Sequence, residues 1–203
     1  IFDSSPIEII SVDSVMVYSD CNIGSAKPSK DILKKYPHHL VDCVNPDSIF
    51  TVSDFYRNSI KLIDSIHRRK KVPVFVGGTM MYFKSLLNGL DDLPERDDAI
   101  RKKYEKIKTQ KGIKELYSML SSKDEAYANQ INQLDEQRII RALEVIDISG
   151  KPLSAQLGLK NKMCLSDKFN IHQYRILEDD RWLRNSRIEC RRNKIIDAGL
   201  VDE

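Results

Sequence analysis

The chain is 203 residues long, with 33 Lys and Arg against 30 Asp and Glu, a formal net charge of +3 at pH 7, 41% hydrophobic and 31% charged residues. This is the balance of a globular protein long enough to bury a core as one domain, or as one domain with an insertion, and so slight a net charge does not by itself demand a nucleic-acid partner. No apolar run approaches bilayer length, no basic-then-apolar leader opens the sequence, and the four cysteines lack CxxC or zinc spacing, so the expectation is a cytoplasmic protein with reduced thiols, no membrane contact and no structural zinc.

In chain order, Ile7 to Val12 is apolar and β-branched and predicts a strand buried on both faces. It breaks at Asp13-Ser14, a carboxylate and a hydroxyl where a parallel strand would end. The polar loop from Val17 to Pro28 contains Gly24-Ser25-Ala26-Lys27, which falls short of a phosphate loop, since GxxxxGK[ST] occurs nowhere in the 203 residues. Ser29 is read as the cap of a short helix to about Tyr36, and Leu40 to Val44 as a second strand. His38-His39 cannot both face one metal from a strand, because successive side chains point to opposite faces. Asn45-Pro46-Asp47-Ser48 is a turn. Ser53 is then read as the cap of a helix whose apolar stripe is Phe55, Leu62, Ile63 and Ile66. The Arg68-Arg69-Lys70-Lys71 run suits that helix's C-terminus. Val72 to Val76 predicts another strand, ending in Gly77-Gly78-Thr79. Thr79 is read as the cap of a helix with Tyr82, Phe83, Leu86 and Leu87 inward, stopped at Gly89. The order β-(α)-β-α-β predicts a parallel sheet covered by helices, with ligands at the carboxyl ends of the strands.

Beyond Pro94 the pattern is helix after helix: Asp97 to Gln110, Ile113 to Ser121, Asp124 to Asn129, and Asp135 to Ser149, ending at Gly150-Lys151-Pro152. The expected division is therefore an α/β core, 1–94 and 161–203, around a helical insertion, 95–160. Arg101 to Lys111 holds six basic residues against one acidic. In the last insertion helix Ile139, Leu143 and Ile146 build one buried face, with Arg138 and Arg141 off that face, either open to a partner or paired with Asp135 and Glu144. Asn161 to Ser166 is read as a loop and Phe169 to Leu177 as a returning strand. Asp179 to Ala198 predicts a helix ended by Gly199, with Arg184, Arg187, Arg191 and Lys194 forming a cationic stripe that fits a phosphate backbone or a plain solvated face.

Read by residue type alone, Asp13 and Ser14 are as consistent with a turn as with a reaction centre, and Thr79 with a cap. Four motifs taken together go further: IISVDSVMVY with IGSAKP, VPVFVGGTMMYFKSLLNGL, DEQRIIRALEVIDISGKPLS, and RIECRRNKIIDAGLVDE. In order and spacing they resemble the tRNA dimethylallyltransferases, also called tRNA isopentenyltransferases. The resemblance implies a P-loop kinase-like α/β fold with a helical insertion that grips the tRNA anticodon stem-loop. It also implies transfer of a dimethylallyl group from dimethylallyl diphosphate to N6 of adenine 37, with Mg²⁺ as cofactor, by a monomer.

Carried over by motif, Asp13 would accept the proton of the attacking amine, Asp13, Ser14, Val15 and Met16 would line the unstacked base, and Thr79 would stand at the reaction centre. Arg101 would contact RNA from the insertion, and Gln137, Arg138, Ile139, Ile140 and Arg141 would form a further tRNA-contacting segment. Met16 and Ser19 depart from the family's usual Gln and basic residue. The family's phosphate loop would stand before Ile7, and further Arg-rich contacts would stand after Glu203. The 203 residues alone are therefore expected to be inactive. The competing readings are a non-catalytic tRNA- or RNA-binding relative, with steep salt dependence and no donor affinity, and a small-molecule kinase of the same α/β class, which would bind nucleotide.

Overall fold

The computed structural model describes residues 6–158 and 164–203. Three parallel strands make the sheet, in the order β2-β1-β3, with β1 at Ile7–Val12, β2 at His38–His39 and β3 at Val72–Gly77. β1 is central because its β-branched run can be covered on both faces: Ile10 and Val12 are fully buried and Ser11 nearly so. Its register with β3 runs from Ile7 opposite Val72 to Val12 opposite Gly77, so the two strands end together. The α/β class with a parallel sheet is as expected.

The second strand is a correction. It lies at His38–His39 rather than Leu40 to Val44, where Leu40 and Asp42 adopt positive φ values of 60° and 52°, which a strand cannot continue through. Val44 instead makes one isolated parallel bridge with Tyr18. The two histidines are satisfied locally: His39 Nε2 meets Glu8 Oε2 at 2.6 Å and His38 Nδ1 meets the Tyr36 carbonyl. Glu8, a carboxylate within the central strand, also receives Arg69 through two nitrogens at 2.9 and 2.7 Å and Lys71 at 3.1 Å. The Arg69 hydrogen bonds, joined by those of His39 and Lys71, outweigh burial and hold its carboxyl far below the usual range.

Helix α1, Lys30–Lys35, starts at the Ser29 cap. Helix α2, Val52–Arg68, begins two residues earlier than expected: Thr51, not Ser53, caps it, in a reciprocal capping box with Asp54. Its buried residues include Phe55, Ile63 and Ile66, and Phe55 stacks on Tyr82 of α3, Met80–Asn88, with ring centroids 4.2 Å apart. Gly89 ends α3 with φ 72°. The expected strand from Phe169 to Leu177 is absent: a short 3-10 turn, Leu165–Asp167, precedes an irregular run in which Ile176 is fully exposed. Of the loop expected from Asn161 to Ser166, positions 161–163 lie outside the described residues. Helix α8, Arg181–Asp197, is capped by Asp180, buries no residue and is followed by Gly199 at φ 96°.

Contacts divide the chain into two compact units, one of Ile1–Asn88 with Cys164–Glu203 and one of Gly89–Met163. The second is purely helical among the described residues: α4 Asp98–Lys111, α5 Ile113–Lys123, α6 Glu125–Ala128 and α7 Glu136–Ser149. Its core gathers Tyr104, Leu116, Leu120, Ile139, Leu143 and Ile146, so the i, i+4, i+7 face of α7 is buried as expected, and Ile140, Ala142, Glu144 and Val145 are buried beside it. Asp97, Asp124 and Asp135 cap α4, α6 and α7, and Gly150 closes α7 in the left-handed conformation. Among the described residues no helix is long and apolar enough to cross a membrane.

Candidate active site

The sheet end is where polar groups converge. Because β1 and β3 stop in register, the residues after Val12 and Gly77 leave the sheet side by side. Gly77 makes this possible: a Cβ there would stand 2.2 Å from the Val12 carbonyl oxygen. The Thr79 backbone N–H then donates to that same carbonyl at 3.1 Å. Across the gap the Ser14 N–H donates to Thr79 Oγ1 at 3.1 Å, and the two hydroxyl oxygens lie 3.5 Å apart. The Thr79 hydroxyl is thus turned to Ser14, while its carbonyl accepts the Tyr82 and Phe83 N–H groups that open α3, which corrects the expectation of a simple side-chain cap.

Asp13 is half-buried and folds the chain back on itself, its Oδ1 accepting the N–H groups of Val15 and Met16 at 2.8 and 3.1 Å. Among the described residues Oδ2 has no hydrogen-bond partner. Ser14 and Val15 are exposed and Met16 is half-buried, with its sulfur near Ser11 Oγ. The result is one small cluster: a carboxylate with a free oxygen, two hydroxyls, and a rigid turn open to solvent. Among the described residues no three His, Cys, Asp or Glu side chains gather as a metal site.

The insertion residues stand differently. Ile139 and Ile140 are 0% and 3% exposed and pack the helical core, so of the run 137–141 the exposed residues are Gln137 and Arg138. Arg138 reaches Asp135 at 3.4 Å. Arg141 pairs with Glu144 at 2.7 Å and donates to the Pro94 carbonyl, and Arg101 grips Glu144 with two nitrogens at 2.9 and 3.0 Å. Glu144 is wholly buried and also accepts the Asp97 N–H. Burial raises its carboxyl, but the hydrogen bonds of Arg101, Arg141 and Asp97 win and lower it. Here Arg101 and Arg141 build the helical unit itself.

A sequence model described as IPP transferase matches residues 16–203. This chain belongs to the IPP transferase family. A tRNA dimethylallyltransferase of Nitrosomonas eutropha is 39% identical over 198 residues, covering 98% of this chain and 62% of that protein. One from Psychrobacter is 41% identical, covering all of this chain and 56% of the relative. This member of the family therefore spans less than two thirds of the relatives it matches. Among solved structures, a eukaryotic dimethylallyltransferase acting on tRNA matches with a TM-score of 0.62 at 26% identity, over 76% of this chain and 39% of that one. A tRNA isopentenylpyrophosphate transferase from Staphylococcus epidermidis matches at 0.50 and 29%, over 97% and 63%. The IPP transferase chain thus shares the P-loop-like α/β fold of those enzymes.

Two residues of this unit escaped the sequence reading. The Lys27 side chain is 2% exposed and donates to the Tyr18 carbonyl at 2.8 Å and to Asp42 at 2.5 Å. Glu203 reaches back to the loop at Asn22 to Gly24. The motifs IGSAKP and GLVDE contained both, but nothing in either says that one folds onto the other.

Proposed function

We propose that this chain carries the acceptor side of a tRNA dimethylallyltransferase, acting in the cytoplasm on adenine 37 of the anticodon stem-loop with dimethylallyl diphosphate as donor. The observation that carries the reading is the juxtaposition of Asp13 and Thr79 at one sheet end, with Asp13 Oδ2 unpartnered among the described residues. An exocyclic aromatic amine is a weak nucleophile because its lone pair is delocalised into the ring. As N6 attacks C1 of the dimethylallyl group, the C–O bond to diphosphate breaks, diphosphate leaves with the electron pair, and Asp13 takes the N6 proton. General-base help of this kind contributes roughly 10²- to 10⁴-fold. Oδ1 is held in the turn by two N–H groups, which leaves Oδ2 as the oxygen to take the proton. Thr79, fixed by Ser14, offers a hydroxyl beside the reacting atoms.

The base must leave its stack to reach these groups, at a cost of a few kcal/mol that a loop lowers. The exposed Ser14 and Val15 and the half-buried Met16 form the surface it would meet. In the helical unit Gln137 and Arg138 are the exposed candidates for RNA contact. Mg²⁺, when bound, would neutralise diphosphate charge, and it would depend chiefly on diphosphate oxygens rather than on a protein cage here.

The test is Asp13→Ala in the intact protein. The expected result is a loss of rate far beyond any loss of tRNA affinity; equal loss in both would make Asp13 a binding residue. The 203 residues by themselves carry no phosphate loop, and incubated with dimethylallyl diphosphate, Mg²⁺ and an A37 stem-loop they are expected to give no turnover.

A further inference from the structure

The C-terminal turn and the loop after β1 meet through one side chain. The Glu203 carboxylate accepts three successive backbone N–H groups, from Asn22 at 2.6 Å and Ile23 at 2.7 Å to Oε1, and from Gly24 at 3.0 Å to Oε2. Successive N–H groups turned to one point make a concave anion seat, and hydrogen bonds to an ionised acceptor are the stronger kind. The donors of Gly24 and Ile23 act first, with Asn22 and the Lys27 charge adding to them, to hold the Glu203 carboxyl below its usual range despite some desolvation.

The surrounding fit is close. A Cβ at Gly24 would stand 3.0 Å from Leu200 Cδ1, and one at Gly199 4.0 Å from Ile23 Cδ1. The loop is closed on itself by Lys27 N–H to the Asn22 carbonyl and Ala26 N–H to the Ile23 carbonyl, each 2.9 Å, and by Ser25 Oγ to the Cys21 carbonyl at 2.7 Å. From there the buried Lys27 ammonium holds the Tyr18 carbonyl, and the Tyr18 N–H donates to the Val15 carbonyl at 3.0 Å. A continuous path of hydrogen bonds therefore leads from Glu203 to the turn that carries Asp13.

We propose that Glu203 is a positioning residue, a clasp whose carboxylate seats in the Asn22–Gly24 backbone and so fixes the Asp13–Tyr18 turn for the acceptor base. The proposal rests on the reading above that this turn receives adenine. Glu203 touches no reacting atom and acts through the loop and Lys27.

Two measurements on E203A and E203Q test it. In amide hydrogen exchange, E203A is expected to speed exchange at Asn22, Ile23 and Gly24 by about tenfold or more, with E203Q, which keeps one acceptor oxygen, in between. In prenyl transfer by the intact protein, E203A is expected to raise KM for an A37 stem-loop about three- to tenfold, with KM for dimethylallyl diphosphate and Tm unchanged. Wild-type exchange rates in E203A beside normal transfer would remove the clasp. Faster exchange with both KM values unchanged would leave a contact with no positioning role, and a joint fall of Tm and of activity toward both substrates would make the role merely structural. Absence of prenyl transfer in the wild-type protein would instead remove the functional reading and, with it, the positioning.

Discussion

The carboxyl end of the sheet and the helical unit spend their charged and polar groups in opposite ways. At the sheet end, among the described residues, Asp13 keeps an oxygen free, Ser14 stays exposed and the Thr79 hydroxyl meets only Ser14. In the helical unit the strongest carboxylates are consumed internally: Glu144 by Arg101, Arg141 and the Asp97 N–H, and Asp147 by Lys103, Lys123 and Tyr104. Burial raises the Tyr104 hydroxyl well above its usual range and Asp147 raises it further, while the lysines and Tyr104 overcome burial to keep the Asp147 carboxyl far below its own. A family resemblance assigns Asp13 and Arg101 alike to function. The geometry separates a group left available from one whose first task is to hold a fold together.

The contrast is broken most sharply by changes that attack one side and spare the other. Asp13→Asn keeps an oxygen for the Val15 and Met16 N–H groups but cannot take a proton, so kcat is expected to fall roughly 10²- to 10⁴-fold with thermal stability unchanged. Glu144→Ala strands two guanidinium groups and is expected to cost about 3–5 kcal/mol in denaturant unfolding, the usual penalty for opening a buried pair from one side. Gly77→Ala places a methyl against the Val12 backbone; we expect about 1–3 kcal/mol of destabilisation, and a loss of kcat as Thr79 is displaced from Ser14.

Acid sharpens the comparison further. Glu8, Glu144 and Asp147 all have lowered folded-state values, so each contributes stability that is complete above the unfolded carboxylate range. That contribution is lost as pH falls, from about pH 4 downward, and Tm measured against pH is expected to drop there. The smallest effect is expected from Arg138→Ala. Its exposed pair with Asp135 is worth within about 0.5 kcal/mol of stability, while its loss should lower the salt slope of stem-loop binding by about one.

Much of this architecture was legible. Strand β1 showed itself as an unbroken β-branched run and β3 as its partner ending in glycines, and helices α4, α6 and α7 were marked by Asp caps, with Gly150 as the stop of α7. The misses have physical causes. Thr51-x-x-Asp54 was a capping box overlooked in favour of Ser53. Leu40 to Val44 has strand composition, but backbone geometry at Leu40 and Asp42 moved the pairing to the histidines. Phe169 to Leu177 has strand composition too, yet it finds no strand to pair with, and pairing rather than propensity makes a strand.

By itself the sequence determined periodicity, caps and stops, and the motifs that place this chain among the IPP transferases, because these are local and follow from side-chain type and spacing. Tertiary structure alone decided which charges were already spoken for. That Arg101 and Arg141 close on Glu144, that Thr79 faces Ser14, and that Glu203 seats in a loop about 180 residues away are outcomes of chain packing. A hydrogen bond or ion pair needs partners brought within about 3 Å, and distance in space is what a linear order of residues does not contain.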